Sequence, residues 1–401
     1  MSDTTSYERN EKHNGKAPEA NVVVSNVSDA RHLRTVTSTR GYQMQVVRSQ
    51  DQQVALEELG YKQELVRKYT WFELFGVAFS IMGLLPSIGS TFYQAISAGM
   101  SGATWGWLIA SFCGILPMGI GLAELGSAYP TASAVYLATW NWSPPKLRNF
   151  ISYGVGFIDT LSLAASVCSI TSGCSGQILS CVQLYKPDFV VTNGNNYGVY
   201  AACIVAMACI GSASSGFNAK VQTISTISNG FLLILVFIAL PAGTHHKGIA
   251  FNGGKEIFGN VENFSNWPKG WNWILNAFQP AVWTIGAFDS CIHMTEEARF
   301  TPRKPGRPLL LDPAASPAAF GIITSIVVCG LLGFLMLICL CACMGPSVAD
   351  IYNSSYDEAI TQIFMNSLGQ KWTVAIMSFM CWGSFLMGAS CMLATCRQFY
   401  A

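Results

Sequence analysis

The chain has 401 residues, 51% of them hydrophobic and only 11% charged, where a soluble domain averages about 25% charged. That deficit argues against a water-soluble protein, and a formal net charge of +1 implies neither a nucleic-acid binder nor a polybasic surface binder. All 14 cysteines lie between Cys113 and Cys396, inside apolar runs and without a C-x-x-C pair, so a disulfide framework or a zinc site is not expected.

In chain order, residues 1–70 come first. They hold ten of the 23 Lys/Arg and nine of the 22 Asp/Glu and are rich in Ser, Thr, Asn and Gln. They read as a disordered cytosolic tail, with no apolar core of the kind a signal peptide needs. From Trp71 onward the sequence reads as one transmembrane domain, 71–401. Spanning a hydrocarbon layer of about 30 Å takes roughly 20 apolar residues as helix. About eight such stretches follow: 71–96, 103–123, 150–182, 198–217, 221–243, 272–294, 318–345 and 372–396. Runs such as FGIITSIVVCGLLGFLMLICLCAC (320–343) lack the alternation of barrel strands, so helices are predicted.

Lys and Arg accumulate in cytoplasmic loops. With the tail inside, inner segments carry Lys146, Arg148, Lys220, Arg299, Arg303, Lys304, Arg307 and Arg397. Outer ones carry Lys186, Lys247, Lys255, Lys269 and Lys371. Lys62, Arg67 and Lys68, just before the first span, widen the inner excess. The sequons at Asn263 and Asn353 then fall in outer loops.

Two spans read poorly as continuous helices. FSIMGLLPSIGSTF (79–92) places Gly83, Pro86, Ser87, Gly89 and Ser90 in mid-membrane, and NAFQPAVWTIGAFDSCIHMTEE (276–297) carries Pro280, Gly286 and Asp289. Pro removes a backbone bond and Gly weakens a helix by about 1 kcal/mol relative to Ala. Lipid cannot satisfy the freed groups, so broken backbone at this depth is buried in protein or lines a wet cavity. Gly, Ser and Pro also serve packing and kinks in membrane helices generally. Breaks in the first and sixth spans together match the inverted-repeat plan of a secondary transporter. Half-helix N-termini would offer N–H groups to a carboxylate, and freed carbonyls would suit an amine.

The strings GLLPSIGS (83–90), GLAELGSAYPTASAVYLATW (121–140), FNAKVQTIS (217–225) and WTIGAFDSCIHMTEEA (283–298) resemble the amino acid-polyamine-organocation permeases, and within them the fungal branch of GABA, choline and polyamine permeases. The resemblance runs from about Trp71 to Ala401. It implies an all-α membrane protein with a LeuT-type inverted-repeat helix bundle, its first and sixth helices discontinuous. The first repeat would occupy 71–243 and a partial second repeat 272–401. By matching position, Pro86, Ser87, Ile88 and Gly89 would line the first break, and Trp283, Thr284, Ile285 and Gly286 the second. Trp283 sits where such permeases place an aromatic gate, though a packing or lipid-facing Trp is the ordinary alternative.

The departures from the pattern also bear on function. Many members carry a lysine in the fifth helix where this chain has Asn229, so coupling through that lysine is not expected. Residues 299–316 look longer than the usual loop and read as an insertion or a gene-model artefact. The sequence stops at CRQFYA, where the family pattern continues into a ninth helix, so the second repeat reads as incomplete.

Asp159 and Asp289 are the acids well inside the apolar segments, and an ionised carboxylate there costs about 2.5–3.5 kcal/mol even on the lenient insertion scale. Each needs a partner, a proton or water, and both are candidates for gating or proton coupling. Asp289 can instead cap the lower half-helix, and Asp159 can bond a neighbouring Ser or Thr. Glu73 and Glu124 read as interfacial or loop-locking, and His293 as an inner-loop contact. There is no P-loop, HExxH or G-x-S-x-G, so no catalytic residue, metal or cofactor is assigned and an ion gradient is the expected energy source.

The function expected is secondary transport of a small amine-bearing solute. GABA or another amino acid comes first and choline or a polyamine next, and the resemblance adds the proton as coupling ion. A permease-like nutrient sensor or a non-transporting truncated remnant is the other class. The plasma membrane is placed ahead of the vacuolar membrane.

Overall fold

The computed structural model describes residues 33–37, 43–47, 70–129, 131–186, 188–295, 298 and 316–400. The chain divides into two units, Met1–Ser49 and Gln50–Ala401. In the first, β1 (Leu33–Thr37) and β2 (Gln43–Val47) pair antiparallel with Leu33 opposite Val47. The rest of the tail expected to be disordered, and residues 299–315 of the expected insertion, lie outside the described residues.

The second unit is built of helices joined by loops. α1 (Trp71–Met82) opens on a capping box: Thr70 N–H donates to Glu73 Oε2 at 2.6 Å while Glu73 N–H donates to Thr70 Oγ1. Glu73 is thus spent on a helix start, as an interfacial acid would be. α2 (Leu84–Ile96) follows after one residue, and α3 (Gly99–Ile109) runs through a π turn (Ala110–Ile115) into α4 (Leu116–Ala128). Beyond the short α5 (Ala134–Trp142) come α6 (Arg148–Tyr185), α7 (Asn193–Gly211) and α8 (Ser215–His246). The last two start on serine and threonine caps: Thr192 Oγ1 accepts from Asn195 N–H and Ser214 Oγ from Phe217 N–H.

α9 (Gly254–Gly259) lies in the following loop. The sixth stretch is built from pieces: α10 (Lys269–Asn272), a π turn (Trp273–Ala277), α11 (Gln279–Ile285), a 3-10 turn (Gly286–Asp289) and α12 (Ser290–His293). α13 (Pro317–Cys343), α14 (Val348–Tyr352), α15 (Ala359–Leu368) and α16 (Gln370–Tyr400) complete the described chain.

Among the described residues, six helices are long and apolar enough to cross a membrane: Trp71–Ile96, Gly99–Ala128, Arg148–Tyr185, Gly216–His246, Pro317–Cys343 and Gln370–Phe399. The other two expected spans are helical but differ in kind. α7 is 19 residues long and opens on the polar NGNNYG, and the sixth stretch is interrupted at mid-depth.

α16 runs along α6 and also touches α7, α8 and α1, while α13 packs on α4 and α1 and α11 packs on α2. The first and sixth stretches are therefore held between α6 and α16 on one side and α13 on the other. Their own residues are the most enclosed: Leu74, Leu84, Leu85, Ile88, Phe92, Ala281 and Ile285 are all buried. α6 and α8 instead expose Tyr153, Phe157, Ile158, Leu161, Ile234 and Ile238, the apolar surface a lipid-facing helix presents. Trp107 is fully buried with its Nε1–H donated to the Gly330 carbonyl at 2.9 Å, which satisfies the one polar atom of a large apolar group.

Candidate functional site: a cavity between two broken helices

The first break is a single residue. Gly83 takes φ 43°, ψ 60°, a left-handed conformation between α1 and α2 that costs an L-residue roughly 1–2 kcal/mol. Its N–H still reaches Phe79 O at 3.2 Å, and Ser87 N–H closes on Gly83 O at 2.9 Å. The Ser87 hydroxyl donates to Met82 O at 2.6 Å, meeting a carbonyl that the break would otherwise strand. The break thus falls three residues earlier than the Pro86–Gly89 expectation. Pro86 sits in the first turn of α2, where a missing N–H costs nothing.

The second break is longer. The helix winds as a π turn, then α11, then the 3-10 turn Gly286–Asp289. No atom outside its immediate chain lies within 4 Å of where a Gly286 Cβ would point. Trp283 is tethered instead, its Nε1–H donating to Ser169 Oγ on α6 at 2.8 Å.

Between the breaks lies a cavity of about 250 Å³, small beside the roughly 300–1,000 Å³ that drug-sized ligands occupy. Ile81 and Ser87 line it from the first stretch and Val282, Trp283, Thr284, Gly286, Ala287, Asp289 and Ser290 from the sixth. α6 adds Ser162, Leu163, Ser166 and Ile170, and α16 adds Met387, Cys391 and Ala394. Of the ten expected site residues, Ser87, Trp283, Thr284, Gly286 and Asp289 reach this cavity. Ile88 and Ile285 are turned into the packed core. Pro86 and Gly89 pack on α16, against Gly383 and Met380. The Pro86 carbonyl accepts from Gln177 Nε2 at 2.9 Å.

Thr284 is buried with its hydroxyl unpartnered. A buried hydroxyl left without a partner costs roughly 1–3 kcal/mol, which a polar ligand atom would recover.

Asp289, half-buried, stands where this cavity meets a second, larger one of about 620 Å³ lined also by Asp159, Val282, Gly286, Ile292 and His293. Ligand atoms of Asp159, Asp289 and His293 lie within 4.8 Å of one another. Asp159 Oδ2 accepts from Gln398 Nε2 at 2.9 Å, so its partner is a side chain of α16 and not the Ser or Thr expected. Asp289 stands at the N-cap position of α12 without a side-chain capping hydrogen bond. His293 is 3% exposed with both ring nitrogens unpartnered among the described residues; the inner loop it was expected to contact lies largely outside them. Its spacing of four residues from Asp289 puts both on one helix face, and that was the signal available in the sequence. The triad can hold a cation or pass a proton among three groups.

Toward the Ile96 end, two turns beyond Ile170, stands Gln177. Its amide donates to Pro86 O at 2.9 Å and Ser90 Oγ at 3.0 Å, and its carbonyl accepts from Ser384 Oγ at 2.6 Å. One side chain of α6 thereby ties α2 to α16, a role that periodicity does not reveal. Further out, Tyr93 stacks on Tyr352 with centroids 4.3 Å apart, and Tyr352 on Phe264 at 5.1 Å. Asn229, where the family lysine would stand, is buried; its Nδ2 donates to Ser225 Oγ at 3.3 Å and its Oδ1 has no partner.

Comparison with known proteins follows the same lines. Residues 69–401 match the family model described as amino acid permease. The chain is 42% identical over 375 residues to a GABA-specific permease of Saccharomyces cerevisiae, covering 92% of this chain and 63% of that protein. Two uncharacterized amino-acid permeases of Schizosaccharomyces pombe are 29% identical over 347 residues and 30% over 353, each across 86% of this chain and 61% of its own length. The chain thus spans less than two thirds of these relatives. A helical bundle with its first and sixth stretches broken around a common cavity, and a family match across all of that bundle, lead to one conclusion: the chain belongs to the amino acid permease family of the amino acid-polyamine-organocation superfamily, an integral multi-pass membrane protein.

Proposed function

We propose that the protein is a proton-coupled secondary transporter of a small amine-bearing solute, with GABA as the first candidate. One observation carries the reading: a cavity of about 250 Å³ enclosed by both broken helices, holding one carboxylate and one unpartnered hydroxyl, in a chain 42% identical to a protein named GABA-specific permease.

In this reading the solute ammonium pairs with Asp289, and the solute carboxylate turns to the start of α2. There the first N–H groups lack intrahelical partners, and the helix dipole favours negative charge. Thr284 and Ser87 supply hydroxyls between the two ends, and Trp283 covers the solute from its tether on Ser169. Pro86, Ile88, Gly89 and Ile285 contribute backbone and frame. The site then exposes itself to one side and the other as the broken helices move against α6 and α16. Asp159 and His293 share the Asp289 charge, so a proton arriving at the triad competes with the amine for that carboxylate and drives its release. The Trp71 end, and with it the N-terminus, is placed in the cytosol, the Ile96 end outside, and the protein in the plasma membrane.

Uptake of radiolabelled GABA, choline and spermidine by cells carrying the chain tests this. GABA uptake collapsing with a protonophore is expected, and Trp283→Ala and Asp289→Asn each lower it about tenfold, roughly 1.4 kcal/mol of binding, with membrane insertion unchanged. Choline or spermidine uptake in place of GABA would select the cationic-solute reading that the second carboxylate, Asp159, favours. Unchanged transport in both variants would defeat the site.

A further inference from the structure

At the Ile96 end, outside the membrane-spanning helices, the start of α15 is pinned onto α6. Gln183 Oε1 accepts from Asp357 N–H and Ser180 Oγ from Glu358 N–H, both at 3.1 Å. The two side chains lie against a glycine of the same helix. A Cβ on Gly176 would meet Asp357 Oδ2 at 2.8 Å and Glu358 Oε1 at 3.3 Å, so the missing side chain makes the room they occupy. Gly176 directly precedes Gln177, the residue tying α2 to α16.

Glu358 is 8% exposed, and its carboxyl takes no hydrogen bond from any described residue. Around it stand Asp357 on its own segment, Gly176 and Ser180 of α6 and the thiol of Cys381 on α16. Tyr93, Tyr352, Tyr356 and Asp357 share the neighbouring groove. Among the described residues no lysine, arginine or histidine pairs with either acid. An ionised carboxylate buried beside a second one, with no cation and no donor, is held against both desolvation and repulsion. A proton relieves both.

We propose that Glu358 is a proton-binding site of the closed gate at the Ile96 end, taking a proton from the medium on that side when α15 seats on α6 and returning it when α15 lifts. Burial, and then Asp357, push Glu358 up to about 8 from an ordinary 4.5. Between those values the lifted segment carries an ionised Glu358 and the seated one a neutral Glu358, so seating takes up one proton. Seating is therefore favoured by acidification and lost as the pH rises through about 8. The direction of this effect in transport rests on the orientation proposed above: an acidic exterior would close the outer gate. The proton site itself does not depend on that reading.

Infrared spectra of the purified chain in lipid nanodiscs, titrated from about pH 5 to about pH 9, test the site without transport. The wild type should keep a protonated-carboxyl band component to about pH 8. Glu358→Gln should lack it and Asp289→Asn should retain it. Gly176→Ala, which fills the seat against both acids while leaving Glu358 itself in place, should move the midpoint of that component down toward about 4.5. A Glu358→Gln spectrum superimposing on the wild type, or a wild-type component titrating near 4.5, would overturn the proposal. In the uptake assay, the wild-type rate should fall as the outside pH rises through about 8, where the seated gate is lost, and Glu358→Gln should lack that fall. A chain that takes up no GABA at any pH would sink the transporter reading, while the infrared comparison would still decide the proton site.

Discussion

The two breaks that frame the cavity solve the same problem in opposite ways. The first spends a single left-handed glycine, and a serine hydroxyl repays the stranded Met82 carbonyl at 2.6 Å. Every large apolar residue around it is buried. The second spreads its irregularity over a π turn, a short helix and a 3-10 turn, and leaves open space at Gly286. A sealed break and a loose one facing each other make a site with one fixed wall and one adjustable wall.

Substitutions sharpen that contrast, beginning where the effect is largest. Gly83→Ala should destabilise the protein by about 2–4 kcal/mol, from the left-handed backbone and from overpacking, since its Cβ would run into Met387 Sδ. Thermal melting in detergent reads this. Adding Met387→Ala should recover the packing part only, and full recovery would show that the backbone conformation costs nothing. Gln177→Leu comes next, at about 1–3 kcal/mol, because the Pro86 carbonyl and the Ser384 hydroxyl lose their buried partner. Ser87→Ala should cost about 1 kcal/mol, the net worth of its bond to Met82 O. Gly286→Ala should shift stability by less than about 0.5 kcal/mol. A large loss there would mean the second break is as tightly specified as the first.

Much of this architecture was legible because it depends on local composition. Apolar runs of about 20 residues announce spans, and Pro and Gly in two of them announce breaks. The exact hinge was not, since proline drew attention as the helix breaker. In the structure Pro86 is harmless in a first turn, and the demand for φ 43° selects Gly83. Asp159 and Asp289 stood out because charge is costly in lipid, and they do converge on one place, with His293 between them. Their partners were hidden for a physical reason. Gln398, Gln177 and Ser169 are ordinary polar residues that gain meaning only from contacts across roughly a hundred residues or more of chain. Glu358 was hidden for a similar one: in sequence it belongs to a polar loop, and its burial comes from a glycine on another helix.

The central claim is that the space between the breaks holds the solute, and Gly286→Trp tests it most directly. The Gly286 Cβ position has open space and lines both cavities, so an indole there is expected to occupy the space proposed for the solute. With radiolabelled GABA and the purified chain in nanodiscs, saturable binding is expected for the wild type and is expected to vanish in Gly286→Trp at an unchanged melting temperature. Binding of equal affinity in the filled variant would contradict the account.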